Sequence, residues 1–241
     1  EEAGNAMIRK SLMELIYESA HMQRWNDHIR PKGFTELDKQ AHKMLIAYIL
    51  ARFEEDRGLN IDWLKLIEGG IFEFLHRIVL TDIKPPVYYE LMANYGPALN
   101  DWVLGQLAPK LGDIGGGFTD KFATYLNDPN YAFWERKILR AAHYLATNWE
   151  FKIIHHLNSN IFGLEETKAR IENEIEEHYD LIGVQKCGLG KKTSNFINLV
   201  GQLRFQQRWA QSPRVPETSV MGHMLIVAMF AYLCSLEIGA C

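Results

Sequence analysis

Apolar residues recur at helical spacing through almost the whole chain. Between Met7 and Arg24, Ile8, Leu12, Leu15 and Ile16 share one face, the recurrence of an amphipathic helix. Thr35-Glu36-Leu37-Asp38 is close to a capping box and predicts a helix to about Phe53. Asn60 can cap a helix from Ile61 to about Val79, ahead of the turn signal Lys84-Pro85-Pro86. Shorter helices are predicted at Val87–Asn94 and Ala98–Leu107, then a glycine-rich loop from Gly112 to Gly117. Ala132 to Ile154 reads as one long amphipathic helix, and the glutamate-rich stretch Leu164–Tyr179 as a solvated one. Cys187-Gly-Leu-Gly is a break; Thr193 or Ser194 starts a helix to about Trp209, and a last helix begins near Ser219. No segment alternates with period two, so the fold class is all-α.

The chain carries an internal similarity. Gln23-Arg24-Trp25 followed by Arg30 recurs as Gln207-Arg208-Trp209 followed by Arg214, both at an offset of 184. The preceding helices match at that offset: Leu12 with Phe196, Leu15 with Leu199, Ile16 with Val200. Beyond that the second copy reads as three residues shorter, which pairs His42 with His223 and Ala47 with Ala228 at offset 181. Shared helical spacing arises by chance; a shared Gln-Arg-Trp, a later Arg and a His entering the next helix rarely do. A repeat of this kind is the first thing to settle about an architecture.

Composition narrows the function classes. Lys plus Arg is 26 against 30 Asp plus Glu, a net charge of −4, which argues against non-specific coating of nucleic acid by phosphate neutralisation. Cys187, Cys234 and Cys241 form no Cys-x-x-Cys pair, so a disulfide framework is not expected and a cytoplasmic location is. The longest apolar run, Met224 to Cys234, is shorter than the roughly 20 residues a bilayer span needs. The first six residues show no basic-then-apolar signal pattern. They are left out of the fold reading, with Met7 as the expected start.

At the repeated residues the sequence resembles the HD-domain metal-dependent phosphohydrolases, in particular the branch of the bacterial 5′-deoxynucleotidases. That branch has an Arg-Trp pair ending its first helix, a further Arg, a His opening the next helix, a His-Asp dyad, a turn aspartate and a later Asp. Arg24-Trp25, Arg30 and His42 match the opening; Gly70 to Val87 matches the dyad helix and its turn, with Asp82 at the turn aspartate; Leu139 to Ala146 matches the last-ligand helix. The likeness covers about residues 8 to 155, with a second opening from about 194. It implies an HD-like helical domain over 7–185 and the start of a second HD-like unit over 190–241, whose dyad and last aspartate would lie beyond Cys241. Arg208-Trp209, Arg214 and His223 resemble that opening closely.

The first unit departs from the pattern. The dyad positions hold Glu73 and Phe74, the last aspartate position holds His143, and a glutamate following the dyad is Arg77. The residual metal set is His42, Glu73 and His143. Two imidazoles and a carboxylate suit Mn, Zn, Fe or Co and leave positions open for water or substrate. The implied activity is hydrolysis of a nucleotide or deoxynucleotide phosphate ester by a metal-activated water. Arg24, Arg30 and Arg208 would bind phosphate, Asp82 would bond a sugar hydroxyl or orient water, and His223 would serve the second unit. The competing reading is a non-catalytic HD-like regulatory or binding module whose catalytic partner is the second unit. Expected partners are a small phosphate ester and, in either reading, no membrane; a homodimer is compatible with both.

Other patterns carry less. Glu18-x-x-His21 and Glu73-x-x-His76 have the spacing of di-iron helices, yet no glutamate-bearing helix precedes the first. Gly188-Leu-Gly190-Lys191-Lys192-Thr193 lacks both the earlier glycine and the Ser or Thr of a P-loop. Adjacent His155 and His156 point about 100° apart on a helix. For Trp25 and Trp209, core packing competes with a base-stacking role.

Overall fold

The computed structural model describes residues 8–80, 83–112, 114–159, 161–189, 191–207, 209–213 and 215–239. Among these residues the chain is all-α, with no strand. Ten helices follow in order: α1 Lys10–Glu18, α2 Glu36–Asp56, α3 Trp63–Val79, α4 Pro85–Leu111, α5 Phe118–Asn127, α6 Phe133–Leu157, α7 Leu164–Glu176, α8 Ile182–Leu189, α9 Lys191–Gly201 and α10 Val220–Glu237. A short 3₁₀ turn, Gln202–Arg204, follows α9.

Most predicted helices lie where periodicity put them, with differences that have local causes. The two short helices predicted after Pro85 are one helix, α4, bent at Tyr95 (φ −135°) with Pro97 inside it. Proline cannot donate to the preceding turn and clashes with it, which kinks a helix rather than necessarily ending it. Helix α5 lies in what pattern reading left unassigned. Phe118, Phe122 and Tyr125 form its buried face, and Phe122 stacks on Phe72 of α3 at 4.8 Å. Helix α8 runs through the predicted break at Cys187. Gly183 lets it approach α2, because a Cβ there would lie 2.8 Å from Leu50 Cδ2.

Helix α2 is the axis of the molecule. It runs along α6 and also meets α3, α8, α9 and α10. Enclosed on so many sides, it buries charged and polar residues as well as apolar ones, including Glu36, Lys39, Lys43, His42 and Glu54. Such groups must find partners inside the protein. One apolar cluster joins α1, α3, α4, α5 and α10, and a second joins α2, α3, α6, α8 and α9. The inner residues of α10, among them Ile226, Met229, Leu233 and Leu236, therefore sit in the same core as Leu12 and Phe72. Helix α10 is also long and apolar enough, by length and composition, to cross a membrane; a third of it is buried in the fold.

The turn after α1 and the turn after α9 share backbone geometry at several described positions. Gln23 pairs with Thr35 as Gln207 pairs with Ser219. Trp25 and Trp209 both take a left-handed φ, 55° and 53°. The Glu36 amide donates to Met22 O at 2.9 Å and the Val220 amide to Gln206 O at 2.7 Å. Thr35 caps α2 by accepting from the Asp38 amide, and Ser219 caps α10 by accepting from the Gly222 amide. Each correspondence has the offset of 184, and it continues into the helices: Lys39 N donates to Thr35 O and His223 N to Ser219 O, both at 3.0 Å. No three-residue deletion intervenes. The pairing of His42 with His223 is therefore corrected: Lys39 stands opposite His223, and His42 stands opposite the core residue Ile226.

The two caps meet at Asp38. Thr35 Oγ1 donates to one oxygen of its carboxylate and Ser219 Oγ to the other. Ser219→Ala removes a cap and half of Asp38's solvation. The expected loss is about 1–2 kcal/mol, read as a lowered midpoint in urea unfolding.

Candidate functional site

The residues singled out by resemblance fall on α2, α3, α6 and the turn after α1. On α2, Lys39 and Lys43 are one helical turn apart and share a face; both are buried. On α3, Glu73 and Arg77 are likewise one turn apart, with side chains 31 % and 29 % exposed. His143 faces them from α6. Seven residues further along α6, Glu150 is fully buried.

The three assigned metal ligands do not converge. His42 Nε2 donates to the Ile197 carbonyl at 3.0 Å, and its ring sits edge-on to Trp149 at 5.0 Å. Burial, and then the nearby Arg204 guanidinium, push its imidazolium down to about 4, so it is a neutral core side chain. Glu73 is held by the Lys43 ammonium and by the Tyr125 hydroxyl, the latter at 2.6 Å. Burial raises the Glu73 carboxyl, but these partners leave it below its ordinary range. Lys39 Nζ lies 2.7 Å from His143 Nδ1 and 3.2 Å from Nε2. Burial, and then the Lys39 and Lys43 charges, hold the His143 imidazolium well below its ordinary range.

A divalent ion does not fit this donor set. The ligand nearest the dyad position is neutralised by one lysine, and the ligand at the last-aspartate position faces another. Among the described residues no group of three or more His, Cys, Asp or Glu side chains is gathered to hold a metal. In the structure His42, Glu73 and His143 each have other partners, and lysine side chains stand beside two of them.

The phosphate assignment of Arg24 meets a similar obstacle. Its Nε donates to both Glu150 oxygens, at 3.1 and 2.9 Å, and its Nη1 to Glu36 at 3.0 Å. Trp25 Nε1 donates to the same Glu150 carboxylate at 2.8 Å, which gives Trp25 a packing and hydrogen-bonding role. Arg204 adds a third donor at 2.6 Å, with its guanidinium lying over both Phe34 and Trp149. Burial alone would raise the Glu150 carboxyl; Arg24 and Arg204 overcome this and hold it at about 2. Arg24 is therefore part of an internal network. Arg30 donates to Gln23 at 2.7 Å in an exposed contact. Asp82 and Arg208 lie outside the described residues. His223 is half-buried in the first turn of α10.

Residues that pattern reading did not select build the centre: Lys39, Lys43, Glu36, Glu150 and Arg204. The available signal was charge at i, i+4 spacing inside otherwise apolar helices, which marks either a solvated face or a buried pair. The di-iron pattern dissolves too. His76 Nε2 meets Asn100 Oδ1 at 3.2 Å, while Glu73 faces Lys43 and Tyr125.

A protein-family model described as "HD domain" matches residues 200–241. That match supports the HD superfamily for the segment containing the 3₁₀ turn, the second Arg-Trp turn and α10. No curated protein and no solved structure matches the chain.

Proposed function

We propose that residues 8–189 are a non-catalytic HD-like module, and that phosphohydrolase chemistry on a nucleotide phosphate ester belongs to the HD unit opening near residue 200. In that unit Arg208 would face the phosphate and His223 would be the ligating histidine. With His223 as a ligand, the unit would hold a divalent ion of the Mn, Zn, Fe or Co class, which would supply an activated water and positive charge for the phosphoryl oxygens. The observation that carries the reading is the placement of the Lys39 and Lys43 ammonium groups on His143 and Glu73. Lys39 occupies the register position that His223 occupies in the second opening. A lysine there brings a cation where a metal-binding histidine would receive one.

Metal content tests this on the chain as it stands. After incubation with Mn, Zn, Fe or Co and desalting, plasma mass spectrometry is expected to give the same value for the parent chain and for Glu73→Gln, His143→Ala and His42→Ala. Stoichiometric metal that disappears in any of the three variants would overturn the non-catalytic reading of the module.

A further inference from the structure

We infer that the site between α2, α3 and α6 is a metal-independent receptor for a small phosphate-type oxyanion, with Lys39 at its floor flanked by Lys43 and with Arg77 at its rim. The inference rests on the non-catalytic reading of the module and adds a ligand class to it.

The first argument is charge. The linked cluster contains five basic side chains, Arg24, Lys39, Lys43, Arg77 and Arg204. Among the described residues three carboxylates pair with them: Glu36 with Arg24 and Arg77, Glu150 with Arg24 and Arg204, and Glu73 with Lys43. The nearby Asp38 carboxylate is engaged by the Thr35 and Ser219 hydroxyls. Lys39 makes no salt bridge with a carboxylate among the described residues; its contact is the imidazole of His143. Burial, and then the Arg24 charge, pull the Lys39 ammonium well below its ordinary range; an excess of buried positive charge is costly in this way unless an anion accompanies it and restores the charged form.

The second argument is hydrogen bonding. An ammonium has three donors, whereas a neutral imidazole has one acceptor nitrogen. Lys39 is 3 % exposed, so its remaining donors are held inside the site. A tetrahedral oxyanion offers several acceptors in a small volume and makes charge-assisted bonds with ammonium and guanidinium groups.

The third argument is access. Glu73 and Arg77 are each about a third exposed, and His143 is half-buried. The site thus has a cationic floor and a rim open to solvent. Arg77 has one carboxylate contact, at 3.2 Å to Glu36, and long contacts to the carbonyls of Leu80 and Ile83 at 3.4 and 3.5 Å. It can turn toward an anion at little cost. Low dielectric around the lysines strengthens the attraction.

Calorimetric titration of the full chain with sodium phosphate, against chloride at matched ionic strength, tests the inference. Adenosine monophosphate in a parallel titration separates free phosphate from a nucleotide phosphomonoester as the source. Saturable binding of at least one of them is expected. Lys39→Met should weaken it about tenfold or more, the loss expected for a charged hydrogen bond. Arg77→Gln at the rim should weaken it about fivefold, and it reports the same site if Lys39→Met does not fold. Absence of binding by the folded parent chain, or binding unchanged in a folded Lys39→Met or in Arg77→Gln, would overturn the receptor. If the metal measurement above finds no metal while phosphate does not bind, the receptor alone fails. Metal lost in Glu73→Gln removes the reading beneath it.

Discussion

Glu150→Ala is expected to destabilise the protein more than any other single change at the site, by about 3–5 kcal/mol. That is the range for breaking a buried ion pair from one side. The carboxylate is fully buried and accepts from Arg24, Trp25 and Arg204. Its removal leaves Arg204 without its carboxylate between Phe34 and Trp149, and leaves Arg24 with Glu36 alone. Glu150→Gln keeps the volume but not the charge, and should lose most of the same stability. Urea unfolding monitored by circular dichroism measures both. A loss below about 1 kcal/mol in Glu150→Ala would show that this network does not hold the 200–204 segment to α6.

The same network predicts an acid-stability profile. For Glu150 the folded-state value, about 2, lies below the ordinary carboxylate value. Its stabilisation is therefore present above pH about 4.5 and is lost as pH falls toward 2. His42 acts earlier. Its folded value, about 4, lies below the ordinary 6.5, so from pH 6.5 downward the unfolded chain binds a proton that the folded chain does not. Stability should fall in the window from 6.5 to 4. His42→Gln should make that upper window shallower, with His76 and His143, also held below their ordinary range, contributing the rest, and should leave the lower window unchanged, as read from unfolding midpoints at stepped pH.

Gly33→Ala is the second large effect, at about 2–5 kcal/mol. Gly33 has φ +89°, and a Cβ there would stand 2.5 Å from the Arg204 carbonyl oxygen. A left-handed conformation costs an L-residue about 1–2 kcal/mol, and overpacking adds about 1–3 kcal/mol. The neighbour is backbone, so a rotamer change cannot relieve it. The Gly33 carbonyl also accepts from Arg204 Nε at 3.3 Å. Thermal unfolding should show the loss, and a double-mutant cycle with Arg204→Met should show coupling. Gly58→Ala is the control: φ is +96° but no atom lies within 4 Å of its Cβ, so only the conformational part should appear.

Much of the fold is legible in short stretches because its determinants are local. Thr35 and Ser219 announce α2 and α10, since a cap hydrogen bond needs only residues three apart. The apolar stripe of α1 and the length of α6 follow from helical period. Helix α5 escaped because its face, Phe118, Phe122 and Tyr125, spans too few turns to stand out beside a glycine-rich loop. The bend at Tyr95 read as two helices because proline stops a pattern without always stopping a helix.

The site was less legible, for a physical reason. Whether Lys39 and Lys43 are solvated or buried depends on α3 and α6, which arrive from thirty to a hundred residues away. The same holds for Arg24. As a sequence element it reads as a phosphate clamp; Glu150, 126 residues later, makes it an internal ion pair. In the sequence the shared histidine favours pairing His42 with His223, three residues out of register; the matching caps at Thr35 and Ser219 fix the register instead.

By itself the sequence determined the all-α class, most helix bounds and the recurrence of Gln-Arg-Trp, all carried by neighbours along one chain segment. The tertiary structure decided which charges are buried, that Lys39 stands where His223 stands in its own helix, and that a lysine cation rather than a metal-ligand cluster faces His143. Charge placement is settled by what surrounds a side chain, and the surroundings of α2 come from every other part of the molecule.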